Sequence, residues 1–251
     1  FAISHVVRGE DHVTNSGEQI QIFEALGKKP PLFAHYPLLK AKAGGKFSKR
    51  AGSGSIRGLR DEMGLEADAI NSFIARLGSA DSIEPFIGLE PLIAAFDFSR
   101  FSRSSAIFDE AELDQVNAKI LHQLPFERVA ERAELDGLGE DFWLAVRGNL
   151  VHWKDITQWV RVVRGPLSPL IDAADRSFLA EAAELLPPSL DEESWKSWTT
   201  ALKDKSGRKG KALFLPLRLA LTAKDHGPEM AALLPMIGAL KAKKRLLGES
   251  A

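Results

Sequence analysis

The order of apolar and polar positions changes character at about residue 60. Residues 2–7 and 32–39 are short apolar and β-branched runs, which are typical of strands. Between them, apolar residues at helical spacing predict a helix that starts near Asn15 and Glu18, a capping-box-like pair, and stops at Gly27. The order strand, helix, strand favours a parallel βαβ crossover.

From residue 61 onward the sequence shows apolar spacing of three and four and no convincing alternation of period two. Gly and Pro residues separate the apolar segments, which predicts short helices joined by short loops into an α-helical cage. The predicted helical segments are residues 69–77, 113–121, 142–146, 156–163, 178–186, 195–202, 213–221 and 230–247.

Composition narrows the class of protein. The chain has 251 residues, 45% of them apolar and 27% charged, so it can bury a sizeable core. It has no cysteine, which excludes disulfides and thiolate metal sites and fits a reducing cytosol. Its apolar stretches fall far short of the roughly 20 residues of a membrane span. Because it begins at Phe1 without a methionine or a signal peptide, we expect it to be a fragment that lacks an N-terminal portion.

One loop has a strongly unbalanced charge. Between Lys40 and Arg60 there are seven Lys and Arg residues, no acidic residue and several glycines. Glycines let backbone N–H groups approach phosphate oxygens, and spaced lysines can neutralise different phosphates of one nucleotide. A solvated basic loop with no ligand has the same composition, so composition alone leaves both interpretations open.

The order of several motifs is more specific than any one of them. The turn Arg8-Gly9-Glu10-Asp11-His12 precedes a Glu-Ala-Leu-Gly helix end, a Phe-Ala-His-Tyr-Pro-Leu strand and the loop Lys46-Phe47-Ser48-Lys49-Arg50. Much later, residues 215–222 contain Leu-Pro-Leu-Arg-Leu-Ala-Leu-Thr. This series resembles bacterial glutamyl-tRNA synthetases, a family of class I aminoacyl-tRNA synthetases, most strongly over residues 1–120.

The resemblance implies a mostly α fold. It consists of the remnant of a class I Rossmann-like α/β catalytic domain, an α-helical bundle and an all-α anticodon-binding cage. The corresponding domains are residues 1–60, which carry the lysine loop, residues 61–125, a helical stem-contact region, and residues 126–251, the anticodon-binding domain.

The resemblance also implies ATP-dependent activation of glutamate and its transfer to tRNA(Glu), with Mg²⁺ accompanying ATP. The implied catalytic residues are Lys46, Ser48 and Lys49. The implied ATP-binding residues are Asp11, Leu39, Lys49 and Arg50, and Arg8 is the implied glutamate-binding residue. Because the family's His-Ile-Gly-His motif is absent from these residues, we do not expect this chain alone to catalyse adenylation.

Binding of tRNA requires basic and aromatic groups on one face of the helical part. The candidate tRNA-binding residues are Arg161, Arg164, Arg208, Lys209, Lys211 and Arg218. Solvated surface charge is the alternative for each of them. We expect the five tryptophans to be core or interhelix contacts, and Trp153 and Trp159 are the two to test for base stacking. The histidines show no metal-ligand spacing, so no metal site is expected.

Two interpretations stay open. The chain is part of a glutamate–tRNA ligase, or it is a catalytically inactive tRNA-binding helical module or diverged paralogue. A glutaminyl-tRNA synthetase fits less well, because the residues from 130 onward do not predict β-barrels. The resemblance further implies a cytoplasmic monomer with no membrane partner.

Overall fold

A computed structural model describes residues 2–42, 55–102 and 104–251 of the chain. The chain divides into two compact units, Phe1–Ile120 and Leu121–Ala251. Most of the described residues are helical, as the sequence predicts, and the strands are short. The division into three domains at residues 60 and 125 stays a prediction.

The first unit opens with the expected βαβ crossover. Strand β1 is His5–Gly9, helix α1 is Val13–Ala25 and strand β2 is Leu32–Tyr36. The two strands are parallel, with Arg8 opposite His35 in the register. The predicted helix start at Asn15 is wrong, because α1 already begins at Val13 and has no side-chain cap.

A second pair of strands corrects the expectation that everything after residue 60 is helical. Strand β3, Leu39–Ala41, pairs in parallel with strand β4, Ala106–Phe108. Each of these two strands has only three residues, which are too few to show an alternation of period two, and the two strands are far apart in sequence. Helices α2 (Ala67–Arg76), α3 (Glu90–Ala94) and α4 (Glu110–Gln123) complete this part of the chain.

The buried core of the first unit lies around α2 and β4. Phe73 and Phe108 are almost completely buried, and their rings meet edge to face with centroids 5.2 Å apart. Asn117 of α4 is buried too, and its side-chain oxygen accepts a hydrogen bond of 2.8 Å from the backbone N–H of Glu66 just before α2. This bond satisfies one of the free N–H groups at the start of that helix.

Seven helices form the second unit with the end of α4. They are α5 (Glu140–Val146), α6 (Ile156–Arg164), α7 (Arg176–Leu185), α8 (Ser194–Ser206), α9 (Lys211–Thr222), α10 (Met230–Ile237) and α11 (Ala239–Leu246). The single helix expected over residues 230–247 is two helices. Gly238 lies between them with φ of +80°, a conformation that glycine adopts without strain.

Two tryptophans anchor this helical core. Trp143 and Trp198 are buried, and their indole N–H groups donate to the backbone oxygens of Leu124 and Ala182 at 2.9 and 3.0 Å. Each ring therefore fills apolar space while its polar atom is satisfied.

A buried arginine joins the ends of two helices. Arg245 of α11 has no exposed surface. Its guanidinium donates to the carbonyl of Val162 in the last turn of α6 at 2.7 Å and to that of Leu221 in the last turn of α9 at 2.8 Å. It also donates to the carbonyl of Ala251. The cation thus satisfies carbonyls that have no partner within their own helices and interacts favourably with both helix dipoles.

Among the described residues, no helix combines the length and the apolar composition that a bilayer-spanning segment requires.

Candidate functional sites

The first candidate site lies at the carboxyl end of β1. Arg8 is the fourth residue of the strand and is opposite His35 of β2, so both side chains lie on one face of the sheet. The Arg8 guanidinium carbon is 4.9 Å from the centroid of the Phe33 ring. Its Nε donates to Ser16 Oγ of α1 at 3.1 Å, and its Nη2 donates to Gln19 Oε1 at 3.0 Å.

Arg8 has no acidic partner among the described residues. An ion pair of Arg8 with Glu10 or Asp11, which are close in sequence, would give Arg8 a structural role without a ligand. Instead, Glu10 Oε1 accepts from the backbone N–H of Leu38 at 3.3 Å, and Asp11 lies 3.9 Å from His12 Nε2. The positive charge of Arg8 is therefore held by neutral groups and remains available to an anion.

The backbone of Gly9 leaves room for the Asp11 side chain. A Cβ atom at position 9 would lie 2.4 Å from Asp11 Oδ1 and 3.4 Å from Leu38 Cδ2. The carboxylate of Asp11 therefore folds back over Gly9, close to the segment that leads into β3. This places Asp11, predicted to hold the nucleotide, beside the same turn as Arg8.

Leu39, the predicted adenine-contacting residue, begins β3 and pairs with Ala106 of β4. Lys42, immediately after β3, is anchored by Asp109: the Nζ and Oδ2 atoms are 2.5 Å apart. The Asp109 hydrogen bond and charge raise the pKa of Lys42, and Lys42 in turn lowers the pKa of Asp109. Lys46, Ser48, Lys49 and Arg50 lie outside the described residues, so their predicted roles stay predictions.

The second candidate site is a basic cleft in the second unit. Arg161, near the end of α6, lines an open cleft of about 560 Å³ together with Lys154 and Lys224. Asp155 is the acidic residue of this lining, which otherwise contains Thr157, Gln158, Leu167, Ser168, Thr222 and Ala223. The Nε of Arg161 donates to the carbonyl of Pro166 at 2.9 Å, which orients its guanidinium at the rim. Three cations against one carboxylate suit an anionic ligand.

Ala223 shapes one wall of this cleft. It follows α9 in the left-handed conformation, with φ of +55° and ψ of 26°. Its backbone N–H donates to the carbonyl of Leu219 at 2.9 Å, and the hydroxyl of Thr222 donates to the carbonyl of Arg218 at 2.8 Å and accepts from the backbone N–H of Lys224 at 3.2 Å. The turn that presents Lys224 is thus fixed by hydrogen bonds, although alanine adopts this conformation at a cost.

The other predicted tRNA-binding residues have different environments. Arg164, Lys209 and Lys211 are exposed. Arg208 is held by Asp175 at 2.5 Å, and its guanidinium carbon lies 4.3 Å from the Phe178 ring centroid. Because these contacts already hold the guanidinium, Arg208 would have to bind RNA while it keeps its contacts with Asp175 and Phe178.

Arg218 lines a separate cavity of about 250 Å³ with Trp195, Phe214, Glu229 and Met230. Its Nη2 donates to the carbonyl of Pro228 at 2.9 Å, whereas its buried Nη1 has no hydrogen-bond partner among the described residues. Burial lowers the pKa of Arg218, and the nearby Glu229 carboxylate partly opposes this shift. The cavity shares no lining residue with the Arg161 cleft.

The two tryptophans proposed for base stacking differ in access. Trp159 is only 2% exposed and packs closely against Gly227, as expected for a core tryptophan, so its ring has no free face for a base. Trp153 is partly exposed, but the guanidinium carbon of Arg132 lies 4.0 Å from its ring centroid and covers one face.

Sequence patterns did not single out Ser16, His35, Lys154 or Lys224. Ser16 is one of several polar residues of α1 and carries no signal of its own, and lysines on different loops carry no local motif. In the part of the chain that the structure describes, no group of three or more His, Asp or Glu side chains could hold a metal ion.

Comparison with known proteins gives two family matches. Residues 1–115 match the family "tRNA synthetases class I (E and Q), catalytic domain", and residues 168–248 match an anticodon binding domain family. The two matches together cover most of the first unit and more than half of the second.

Curated relatives match almost the whole chain. It is 50% identical over 252 residues to "Glutamate--tRNA ligase 1" of Maricaulis maris, with 99% of this chain and 56% of the relative covered. It is 49% identical to the protein of the same name from Parvibaculum lavamentivorans, again with 99% and 56% covered. The chain therefore spans a little more than half the length of the relatives that it matches.

A crystal structure of a glutamate tRNA ligase from Elizabethkingia meningosepticum shares the fold, with a TM-score of 0.80 and 21% identity over 97% of this chain and 56% of that one. Taken together, residues 1–115 are similar to the catalytic domain of class I tRNA synthetases of the E and Q group, residues 168–248 are similar to an anticodon binding domain, and the chain as a whole is similar to a little more than half of the glutamate–tRNA ligases that it matches.

Proposed function

We propose that this chain supplies part of the active site and the tRNA-binding unit of a glutamate–tRNA ligase. In the proposed reaction, the α-carboxylate of glutamate attacks the α-phosphorus of ATP and pyrophosphate leaves, which forms glutamyl-adenylate. The glutamyl group then passes to the 3′ end of tRNA(Glu), and AMP is released. The observation that carries the proposal is the 50% identity to a curated ligase over 99% of this chain.

The turn after β1 supports this chemistry. Arg8 has a guanidinium with no acidic partner among the described residues, and such a group can donate charge-assisted hydrogen bonds to a carboxylate. We assign it to the glutamate substrate. Asp11 lies beside it over Gly9, where its carboxylate can accept hydrogen bonds from nucleotide hydroxyl groups. The backbone of Leu39 is assigned to the adenine.

The lysine loop has the charge that the first step requires. Negative charge accumulates on the leaving pyrophosphate, and positioned cations lower that barrier by about 3 kcal/mol for a single donor. We assign Lys46, Ser48, Lys49 and Arg50 to the triphosphate. The ion pair of Lys42 with Asp109 fixes the point at which the chain enters this loop.

We further propose that Mg²⁺ enters with ATP, because phosphate oxygens commonly supply most of its ligands. The described residues offer no cluster of their own for this ion, so no step is assigned to it. We also place the protein in the cytoplasm as a monomer.

The basic cleft of the second unit is assigned to tRNA. Lys154, Arg161 and Lys224 converge on one recess that is large enough for a phosphate and part of a nucleotide. Phosphate contacts supply affinity and position the RNA, whereas base contacts give specificity. We therefore assign the cleft to contacts with the phosphate backbone of the tRNA. The exposed Arg164 at the end of α6 adds another positive charge.

Pyrophosphate exchange tests the catalytic proposal. The full-length gene product is assayed for glutamate-dependent exchange between pyrophosphate and ATP, beside its Lys49→Ala variant and an exposed-lysine control, Lys28→Ala. We expect exchange to fall by about 100-fold in Lys49→Ala, from the loss of a donor to the leaving group, and to be unchanged in the control. Absence of exchange in the wild-type protein would favour the inactive tRNA-binding module or diverged paralogue.

Salt dependence tests the tRNA proposal on the 251-residue chain itself. The affinity for tRNA(Glu) is measured from about 50 to 200 mM salt for the wild type, for Arg161→Ala with Lys224→Ala, and for Lys243→Ala on the exposed face of α11 as control. Each lost phosphate contact should reduce the slope of log K against log salt by about 0.7 to 0.9. An unchanged slope in the double variant would remove the cleft from the interface.

A further inference from the structure

The one buried residue of α1 is polar. Helix α1 lies wholly within the described residues, and Ser16 is its buried position, with 4% of its surface exposed. The apolar residues Ile22 and Leu26, at the other end of the helix, are more than half exposed. A buried serine contributes little apolar contact, so its position is explained by the hydrogen bonds of its hydroxyl.

The Ser16 hydroxyl is the centre of a hydrogen-bond network. Its Oγ donates to the carbonyl of His12 at 3.0 Å, one turn earlier in the chain. It lies 2.6 Å from His35 Nε2 and accepts from the Nε and Nη2 of Arg8. The hydroxyl has two lone pairs and one proton, and Arg8 can only donate, so the two Arg8 hydrogen bonds fill the lone pairs and the hydroxyl proton is shared between the His12 carbonyl and His35 Nε2.

The strands bring the members of this network together. Arg8 and His35 are direct neighbours in the parallel register, and Phe33 lies two residues before His35 on the same face. The Phe33 ring, Gln19 and Ser16 therefore surround the Arg8 guanidinium from different sides. Its remaining terminal nitrogen, Nη1, has no hydrogen bond to any described residue.

We propose that Ser16 and His35 are positioning residues that hold the Arg8 guanidinium in the orientation that receives the carboxylate of the amino-acid substrate. The inference rests on the proposed function, in which Arg8 binds glutamate. The hydroxyl fixes the inner edge of the guanidinium with two hydrogen bonds, His35 fixes the hydroxyl, and Nη1 is presented to the ligand. Holding the guanidinium before the substrate arrives reduces the entropy that binding would otherwise cost.

Substrate-specific kinetics of the full-length gene product test this role. In pyrophosphate exchange, Ser16→Ala and His35→Leu should each raise the KM for glutamate by about five- to tenfold, with the KM for ATP and kcat changed less than twofold. His35→Gln, whose amide oxygen can replace Nε2 as the acceptor, should restore most of the loss. Thr14→Ala, which removes an exposed hydroxyl from the same helix, is the control.

A purely structural role gives a different result. If Ser16→Ala lowers the melting temperature or raises both KM values equally, and His35→Gln restores nothing, the positioning role is wrong. Arg8→Lys separates this outcome from failure of the proposed function. If Arg8→Lys raises the KM for glutamate and Ser16→Ala does not, only the positioning role fails, whereas an unchanged KM in Arg8→Lys refutes the assignment of Arg8 itself.

Discussion

Replacing Arg245 with methionine should destabilise the second unit. Methionine has a similar length and is apolar, but it cannot donate to the carbonyls of Val162 and Leu221. Two buried acceptors without donors cost about 2 kcal/mol each. The lost interaction with two helix dipoles adds about 0.5 kcal/mol each, and relief from burying a cation returns about 2 kcal/mol. The free energy of unfolding should therefore fall by about 3 kcal/mol.

Tryptophan fluorescence measures this change selectively, because all 5 tryptophans of the chain lie in the second unit. At about 4 °C per kcal/mol for a unit of this size, the thermal midpoint should fall by about 12 °C. Lys243→Met, on the exposed face of the same helix, should stay within about 2 °C of wild type. Arg245→Lys should be intermediate, because one ammonium cannot reach all of these carbonyls.

The expected effect of Arg245→Met applies at a pH at which Arg245 is charged in both the folded and the unfolded state. Burial lowers the pKa of Arg245 to about 10. Because this pKa is below that of the unfolded chain, the unfolded state binds the proton more tightly, and titration of Arg245 adds stability only as the pH rises through about 10. At pH 7.5 the guanidinium stays charged in both states. A midpoint for Arg245→Met within 2 °C of wild type at that pH would refute the reasoning.

Three further outcomes are expected. Gly9→Ala should displace the Asp11 carboxylate, which its Cβ would approach to 2.4 Å, and raise the KM for ATP in pyrophosphate exchange about fivefold; an unchanged KM would separate Asp11 from the nucleotide. Ala223→Gly should relieve left-handed strain and stabilise the second unit by about 1 kcal/mol in denaturant unfolding. Asp191→Asn should lower the thermal midpoint at neutral pH, because the Ser194 hydroxyl holds the pKa of Asp191 below its usual value. The carboxylate stabilises the fold above its unfolded pKa and this contribution is lost as the pH falls through the lowered value, so the difference should shrink below about pH 4.

Local patterns predicted the elements whose determinants are local. The parallel βαβ crossover and the helices from α2 to α9 that were expected from apolar spacing are present, because their apolar faces and their glycine stops lie within each segment. Strand β4 escaped prediction because its evidence is a partner strand more than 60 residues earlier. The break at Gly238 was missed because the apolar spacing continues across it.

The residues of the candidate sites could likewise be predicted only where they lie close together in the sequence. Arg8 and Asp11 lie in one contiguous turn, so a motif reveals them together. The Arg161 cleft combines side chains from three separate segments, and only folding brings Lys154 and Lys224 to Arg161. Arg245 lies in a basic run, residues 241–245, whose composition suggests a surface, yet it is completely buried. Hydropathy cannot predict such burial, because the backbone carbonyls that make it possible are distant in sequence.

The contacts of Arg245 have a consequence for the proposed binding of tRNA in the Arg161 cleft. Val162 is next to Arg161, and Leu221 immediately precedes the turn that carries Lys224. The Arg245 guanidinium therefore links the two segments that form the walls of the cleft. The spacing between the cations is therefore set inside the protein before any polyanion arrives. If the cleft binds tRNA as proposed, the ligand does not have to draw two mobile walls together, and a substitution of Arg245, which lies inside the protein, would weaken tRNA binding by widening the gap.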